Sequence, residues 1–145
     1  MSLKNWLRNG WLVEHKTSRE EISDLLGIAE RDLKDSRAKA ISADWRLAIA
    51  YNAALQVAAA ALAASGYRAS REAHHFRTIQ SMAFTIEADP ALVGQLDAFR
   101  KKRNISDYER VGAVSDQEAE EMAALAERLR TLLKEWLRAR HPNLA

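Results

Sequence analysis

Apolar residues along the chain return at steps of three and four, which is the spacing of amphipathic helices. The pattern is clear after residue 17, where apolar side chains occupy positions 22, 25, 26, 29 and 33. Thr17 and Ser18 each have a glutamate three positions later, the spacing of a capping box at a helix start. A first long helix is therefore predicted to begin at one of these two residues.

A second helix is predicted to start after Ser42, whose hydroxyl suits an N-cap, and to end before Gly66. Residues 47–64 carry no charge and are rich in alanine, so they could form a membrane span or a buried helix. Asn52 and Gln56 interrupt the segment, and alanine contributes little to membrane insertion. We predict a core helix without membrane contact, part of whose surface could face a second subunit.

A third helix is predicted from Ser70 to about Ala88, with His75 on its apolar stripe and His74 on its polar stripe. Adjacent helical residues point about 100° apart, so these two histidines cannot hold one metal ion together. His75 is interpreted as a half-buried, hydrogen-bonded side chain, and an accessory role at a functional site is the alternative.

Asp89 and Pro90 suit the cap and the first position of a fourth helix. One phase of this helix holds positions 92, 96, 99 and 103, so Arg103 lies at the inward edge of an apolar stripe. Arg100 flanks the same face, whereas the two lysines between them project elsewhere. An arginine in such a place either binds a ligand or is a snorkelling or paired structural residue.

The remaining segments complete an all-α fold. Residues 104–114 are interpreted as a loop, and Ser115 opens a last helix with Glu118 at the capping-box position. At the other end, residues 3–13 are predicted to form a short helical segment. Its residues Trp6 and Trp11 either pack on the bundle or form an aromatic platform for bases. No strand-like alternation is present, and the connections are short. Residues 1–145 are thus predicted to form one domain, a five-helix up-and-down bundle with a short N-terminal helical segment.

Composition narrows the function classes. The chain has 145 residues, no cysteine and a net charge of +2, so disulfides and thiolate metal sites are excluded. The charge is too small for a dedicated nucleic-acid binder, and such binding would need a local patch. The sequence contains no glycine-rich phosphate loop and no nucleophile elbow. We expect a soluble cytoplasmic protein without metal or cofactor.

The basic patch at residues 100–110 is the segment whose side chains could bind a ligand. The side chains proposed to bind phosphate are those of Arg100, Lys101, Arg103, Asn104 and Arg110. Tyr108 lies beside them, and Asp107 is a candidate accessory residue of the same site. Arginine offers phosphate a planar fork of donors, and lysine offers a point charge. The patch suits RNA, a nucleotide or a phosphorylated partner equally well.

Several short motifs together resemble the HEPN superfamily, small helical domains named for nucleotide binding in higher eukaryotes and prokaryotes. The motifs are the run at residues 50–55, Gly66-Tyr67-Arg68, His74-His75, and the stretch from Leu96-Asp97 through Arg103-Asn104 to Tyr108. The order and spacing are similar to those of small stand-alone bacterial members. The resemblance implies a helical bundle that forms a homodimer and, in some members, pairs with a small nucleotidyltransferase as toxin and antitoxin.

The resemblance also implies a catalytic motif, in which an arginine, an adjacent polar residue and a following histidine cut RNA without metal. Arg103 and Asn104 match the first two parts. The histidine is missing, because the window after Arg103 holds Asp107, Tyr108, Glu109 and Arg110 instead. A tyrosine with an ordinary pKa near 10 transfers protons poorly at neutral pH.

Three functional hypotheses follow from these observations. The leading one is a non-catalytic domain that binds RNA, a nucleotide or a protein partner through residues 100–108. The second is a metal-independent ribonuclease in which Arg103 works with a non-standard proton carrier, for which Tyr108 and His75 are candidates. The third is a structural adaptor whose basic patch meets an acidic protein surface and binds no nucleic acid.

Overall fold

A computed structural model describes residues 1–108 and 113–145, with the side chains of residues 105–108 left aside. The described chain is mainly helical, which confirms the all-α prediction. Its elements, in chain order, are α1 (Leu3–Arg8), β1 (Leu12–Glu14), α2 (Arg19–Asp35), α3 (Ala43–Ala64), β2 (Tyr67–Ala69), α4 (His74–Gln80), a 3-10 turn (Ser81–Ala83), α5 (Pro90–Tyr108) and α6 (Asp116–Arg140).

Helix α3 is the centre of the fold and packs against α2, α4, α5 and α6. Its alanines are small enough to let neighbouring backbones approach, and most of them are buried. By length and composition α3 could cross a membrane, yet 72% of its most apolar window is buried inside the structure. This burial is what the core helix of a soluble bundle requires.

Serine caps start three of the four long helices, α2, α3 and α6, as the sequence predicts. The Ser18 hydroxyl accepts a hydrogen bond from the Glu21 backbone N–H at 3.1 Å, and Ser42 caps α3 in the same way. At α6, Ser115 and Glu118 exchange two hydrogen bonds of 3.1 Å and form a complete capping box. Each cap satisfies a backbone donor that the helix itself leaves unpaired and contributes about 1 kcal/mol.

Two short strands contradict the prediction that the chain contains no strand. Strands β1 and β2 pair antiparallel, with Leu12 opposite Ala69 and Glu14 opposite Tyr67. Gly10 and Gly66, with φ of 78° and 96°, precede the two strands. Strands of three residues are too short to show alternation, and their pairing joins distant parts of the sequence. The pair attaches the N-terminal segment to the end of α3.

Three helix boundaries also differ from the predictions. The third helix was predicted to reach about Ala88, but α4 ends at Gln80 and the 3-10 turn that follows ends at Ala83. The third helix was predicted from Ser70, but α4 begins at His74, and the Ser70 hydroxyl donates instead to the Gly10 carbonyl oxygen at 2.7 Å. The predicted loop after Arg103 is wrong in its first part, because α5 continues to Tyr108. Asn, Ser and Asp in that stretch favour caps and turns, which concealed the last turn of the helix.

Candidate functional site

An open cleft of about 550 Å³ lies between the start of α4 and the second half of α5. We call it the α4–α5 cleft; it is lined by Ala73, His74, His75, Phe76, Arg100 and Asn104. Two of the residues proposed to bind phosphate and the candidate accessory histidine therefore share one surface. The fold brings the adjacent residues His74 and His75 close to Arg100, which lies on another helix and far along the sequence.

The start of α4 has an uncommon backbone conformation. Ala73 precedes the helix with φ 52° and ψ 39°, the left-handed region that favours glycine. After this turn the next three side chains all line the cleft, and the rings of His74 and His75 lie 6.1 Å apart. A left-handed non-glycine residue costs about 1–3 kcal/mol and is often found at functional sites.

His75 is held by a tyrosine from the core helix. Its Nδ1 lies 3.2 Å from the hydroxyl oxygen of Tyr51, a residue of α3 that is only 1% exposed. Burial raises the pKa of Tyr51 to about 12, although the positive charges of Arg103 and Arg100 oppose the shift. The phenol is therefore neutral at physiological pH. The hydrogen bond expected of His75 is present; the residue as a whole is exposed, but its ring is partly buried where it meets Tyr51.

The surroundings of His75 disfavour its protonated form. Partial burial of the ring lowers the pKa of His75, and the positive charges of Arg103 and Arg100 and the neighbouring His74 ring lower it further. A neutral imidazole offers one nitrogen that donates and one that accepts a hydrogen bond. An anion in the cleft would offset the neighbouring positive charges and shift this equilibrium toward the imidazolium.

Arg100 is oriented by two contacts. Its Nε donates to the Asp97 carboxylate at 2.7 Å, and its guanidinium carbon lies 5.6 Å from the centre of the Phe76 ring. Only one of the five N–H donors is used by Asp97. The guanidinium therefore keeps donors for a ligand while its position is fixed from two sides.

The other predicted basic residues are placed differently. Arg103 lies with its guanidinium carbon 5.4 Å from the centre of the Tyr51 ring, so it faces α3 and adds positive charge behind the cleft. Lys101 is exposed, stands 3.7 Å from the Asp97 carboxylate and is not among the residues that line the cleft.

Part of the predicted patch lies outside the described residues. Arg110 belongs to residues 109–112, and the side chains of Asp107 and Tyr108 are likewise not described. The roles expected of these three residues therefore stay predictions. Asn104, by contrast, is exposed and lines the α4–α5 cleft.

Sequence reasoning gave no functional role to three neighbours of the cleft. Tyr51 holds His75, Asp97 orients Arg100, and Phe76 provides an aromatic wall. A hydroxyl in a largely apolar, alanine-rich helix was the available signal for Tyr51, since a buried phenol needs a hydrogen-bond partner. Among the described residues, no group of three or more His, Asp or Glu could hold a metal ion.

Comparison with known families gives one result. The model of the HEPN domain matches residues 22–136, a range that runs from α2 into α6 and includes every residue that lines the cleft. The comparisons with curated proteins and with solved structures gave no significant match.

Proposed function

This chain belongs to the HEPN domain family, and we propose that its α4–α5 cleft binds a phosphate group of RNA or of a nucleotide. The observation that carries the proposal is the arrangement of Arg100, Asn104, His74 and His75 around one open cleft. Guanidinium, amide and imidazole groups all donate hydrogen bonds to phosphate oxygens. The cleft offers these donors from two helices and is open to solvent.

The electrostatics of the cleft favour an anion. Arg103 and Arg100 both lower the pKa of His75, which places their positive charge near the imidazole. Asp97, the carboxylate that contacts Arg100, is engaged with that residue and fixes its side chain. Because the Arg100 side chain is oriented before the ligand arrives, less conformational entropy is lost on binding.

Binding of a fluorescently labelled short single-stranded RNA, followed by anisotropy at low salt, tests the proposal. We expect the double substitution Arg100→Ala and Arg103→Ala to weaken binding by about tenfold or more. The dependence of binding on salt should become shallower, by roughly 0.7 per lost phosphate contact. As a control, a double variant combining Arg128→Ala, an exposed arginine of α6, with Lys4→Ala removes the same charge elsewhere. Absence of binding by the wild type, or unchanged binding by the double variant, would contradict the proposal.

RNA cleavage without metal is a second candidate function, and the contact between His75 and Tyr51 favours it. This histidine supplies, from another helix, the imidazole that the sequence after Arg103 lacks. When Nδ1–H donates to the Tyr51 oxygen, Nε2 can accept the proton of a ribose 2′-hydroxyl. The 2′-oxygen would then bond to phosphorus, the P–O5′ bond would break, and the imidazolium would return the proton to the leaving oxygen.

Incubation of the protein with RNA in the presence of a chelator distinguishes cleavage from binding alone. Products that end in a 2′,3′-cyclic phosphate and are lost in His75→Gln would support the second function. Intact RNA that is nevertheless bound would favour the non-catalytic domain. Cleavage that continues in both His75→Gln and Arg103→Ala would mean that another site, or a contaminant, is responsible.

We further propose that the protein forms a homodimer and associates with a small nucleotidyltransferase, as in a toxin–antitoxin pair. Light scattering tests the homodimer, and co-purification from the native host tests the association. A cytoplasmic location is tested by cell fractionation. A structural adaptor without nucleic-acid binding would be favoured by a co-purifying protein together with no affinity for RNA.

A further inference from the structure

A row of alternating guanidinium groups and aromatic rings leads away from the α4–α5 cleft. The guanidinium carbon of Arg100 lies 5.6 Å from the centre of the Phe76 ring, and that of Arg77 lies 5.6 Å from the same ring. Arg77 in turn lies 3.6 Å from the centre of the Trp11 ring. We call this series, from Arg100 through Phe76 and Arg77 to Trp11, the stacked row.

Each member of the stacked row is partly accessible. All four residues are of intermediate exposure, and Phe76 lies outside the two hydrophobic clusters that the described residues form. An aromatic ring that is half exposed and belongs to no core retains surface for another planar group. This separates Phe76 from Trp6, which is buried in the smaller cluster.

The guanidinium N–H donors of Arg77 are available to a ligand. Within the described residues its contacts are with the rings of Trp11, Trp6 and Phe76, and no hydrogen bond or ion pair joins it to a described side chain. Stacking uses the flat faces of a guanidinium, whereas its N–H groups lie in the plane and point outward. An arginine held in this way can bind a phosphate with its free edge.

We infer that the stacked row extends the cleft into a binding track for several nucleotides of single-stranded RNA. The inference rests on the proposed phosphate binding in the cleft and adds the substrate class. Alternating positive groups and aromatic rings are the features with which proteins bind single strands, because every base has a flat face that can stack. The bases of a duplex are stacked on each other and cannot use such rings.

The alternative role of Arg77 is mechanical. Its contact with Trp11 would then hold the N-terminal segment against α4 and nothing more. A clamp of this kind predicts a loss of stability on substitution and no effect on RNA. The two roles therefore differ in a measurable way.

The experiment compares two RNA lengths, a dinucleotide that reaches only the cleft and a strand of about ten nucleotides that can also follow the track. The track variants are Arg77→Gln and Trp11→Leu. Their matched controls are Arg128→Gln on α6 and Trp45→Leu, which changes a tryptophan that is 65% exposed at the start of α3. Thermal unfolding of each variant confirms that it is folded. If Trp11→Leu does not fold, Arg77→Gln alone still tests the track.

We expect both track variants to weaken binding of the longer RNA by about tenfold while leaving dinucleotide binding nearly unchanged. The track would be overturned if the wild type and the track variants bound the longer RNA equally well while Arg100→Gln no longer bound it. Phosphate binding in the cleft would still be supported by that result. Equal weakening by the control variants would also overturn it, because unspecific charge would then explain the binding. No RNA binding by the wild type at either length would contradict the proposed function itself.

Discussion

At the scale of single residues, His75 owes its properties to residues on other helices. Tyr51 contacts its Nδ1 from α3, and Arg100 and Arg103 of α5 lower its pKa through their charge. The position of His75 on the apolar stripe of a helix indicated a hydrogen bond but not its partner. A neutral histidine beside two arginines is a group whose protonation responds to a bound anion.

This response predicts that RNA binding tightens as the pH falls through the titration range of His75. Bound phosphate offsets the charges of Arg100 and Arg103 and therefore raises the pKa of His75 from its lowered value. Binding should then take up a proton. Affinity measured between about pH 7.5 and pH 5.5 should rise more steeply in the wild type than in His75→Gln. Parallel curves for the two proteins would contradict this linkage.

Without ligand, His75 should make the fold less stable in acid. Its pKa is lower in the folded protein than the ordinary value near 6.5, so the unfolded chain binds the proton more readily. The contribution of His75 to the free energy of unfolding is thus fully present above that ordinary value and is lost as the pH falls from it through the lower pKa of the folded state. Urea titrations at a series of pH values should show a smaller decline for His75→Gln than for the wild type. An equal decline would indicate that carboxylates alone cause the loss.

Ala73 offers a test of backbone strain at the cleft. Its φ of 52° is costly for alanine and free of strain for glycine, so Ala73→Gly should raise the free energy of unfolding by about 0.5–1 kcal/mol. The matched control is Ala98→Gly, an exposed position in the middle of α5, where glycine should lower it by about 1 kcal/mol. Chemical denaturation of both variants measures the difference. A loss of stability in Ala73→Gly would show that the turn before α4 is not strained.

At the scale of helices and strands, local sequence signals predicted the starts of the long helices correctly. Serine caps act through the next few residues, so Ser42 and Ser115 could be recognised without the tertiary structure, and Ser18 as one of two candidates with Thr17. The strands and the start of α4 depend on contacts between distant segments. Ser70 resembles a cap in the sequence, but pairing of the two strands brings it to the Gly10 carbonyl instead.

In the cleft, too, local spacing could be read from the sequence, whereas contacts between helices could not. The helical phase of α5 correctly set Arg103 apart from the lysines, because phase depends only on spacing along one helix. The contacts of Tyr51 with His75 and of Phe76 with Arg100 join separate helices. Sequence spacing could not predict those pairs, and they give the cleft its shape.

Asn52, one of the polar residues that interrupt the apolar helix α3, connects it to α2. Asn52 Nδ2 donates to the carboxylate of Asp32 at 2.7 Å, and Asp32 is only 6% exposed. Asn52→Ala should therefore lower the free energy of unfolding by about 1–3 kcal/mol, because it takes a donor from a buried carboxylate. Gln56→Ala serves as the control and should cost less, since Gln56 donates to Asn52 at 3.3 Å and not to Asp32. Equal losses in denaturant titrations would place the stabilisation in packing rather than in this bond.

At the scale of the whole molecule, the described residues form two hydrophobic clusters of unequal size. The large one joins α2, α3, α5 and α6, and the small one contains Trp6, Leu12, Leu62 and Ala69. The match to the HEPN domain begins at residue 22, after α1 and β1. The N-terminal segment thus packs through its own small core against the end of α3 and β2.

Substitutions in the two clusters should therefore destabilise different parts of the chain. Leu12 and Leu129 are 2% and 0% exposed, so replacement of either by alanine removes buried apolar surface and costs about 2–5 kcal/mol within its own cooperative unit. Leu129→Ala affects the large core and should lower the protection of amides throughout α2, α3 and α6. Leu12→Ala affects the small core and should release residues 1–14 and β2 first, because local units open at lower free energy than the whole.

Native-state hydrogen exchange resolved by residue measures this difference. In Leu12→Ala, faster exchange confined to the N-terminal segment and β2 would mean that the HEPN core holds without it. Binding of the dinucleotide should then persist, since Arg100 and Asn104 lie on α5, whereas binding of the longer RNA should fall with the loss of Trp11 from the track. Uniformly faster exchange in Leu12→Ala would show instead that the two cores unfold as one, and that the N-terminal segment is an integral part of the domain.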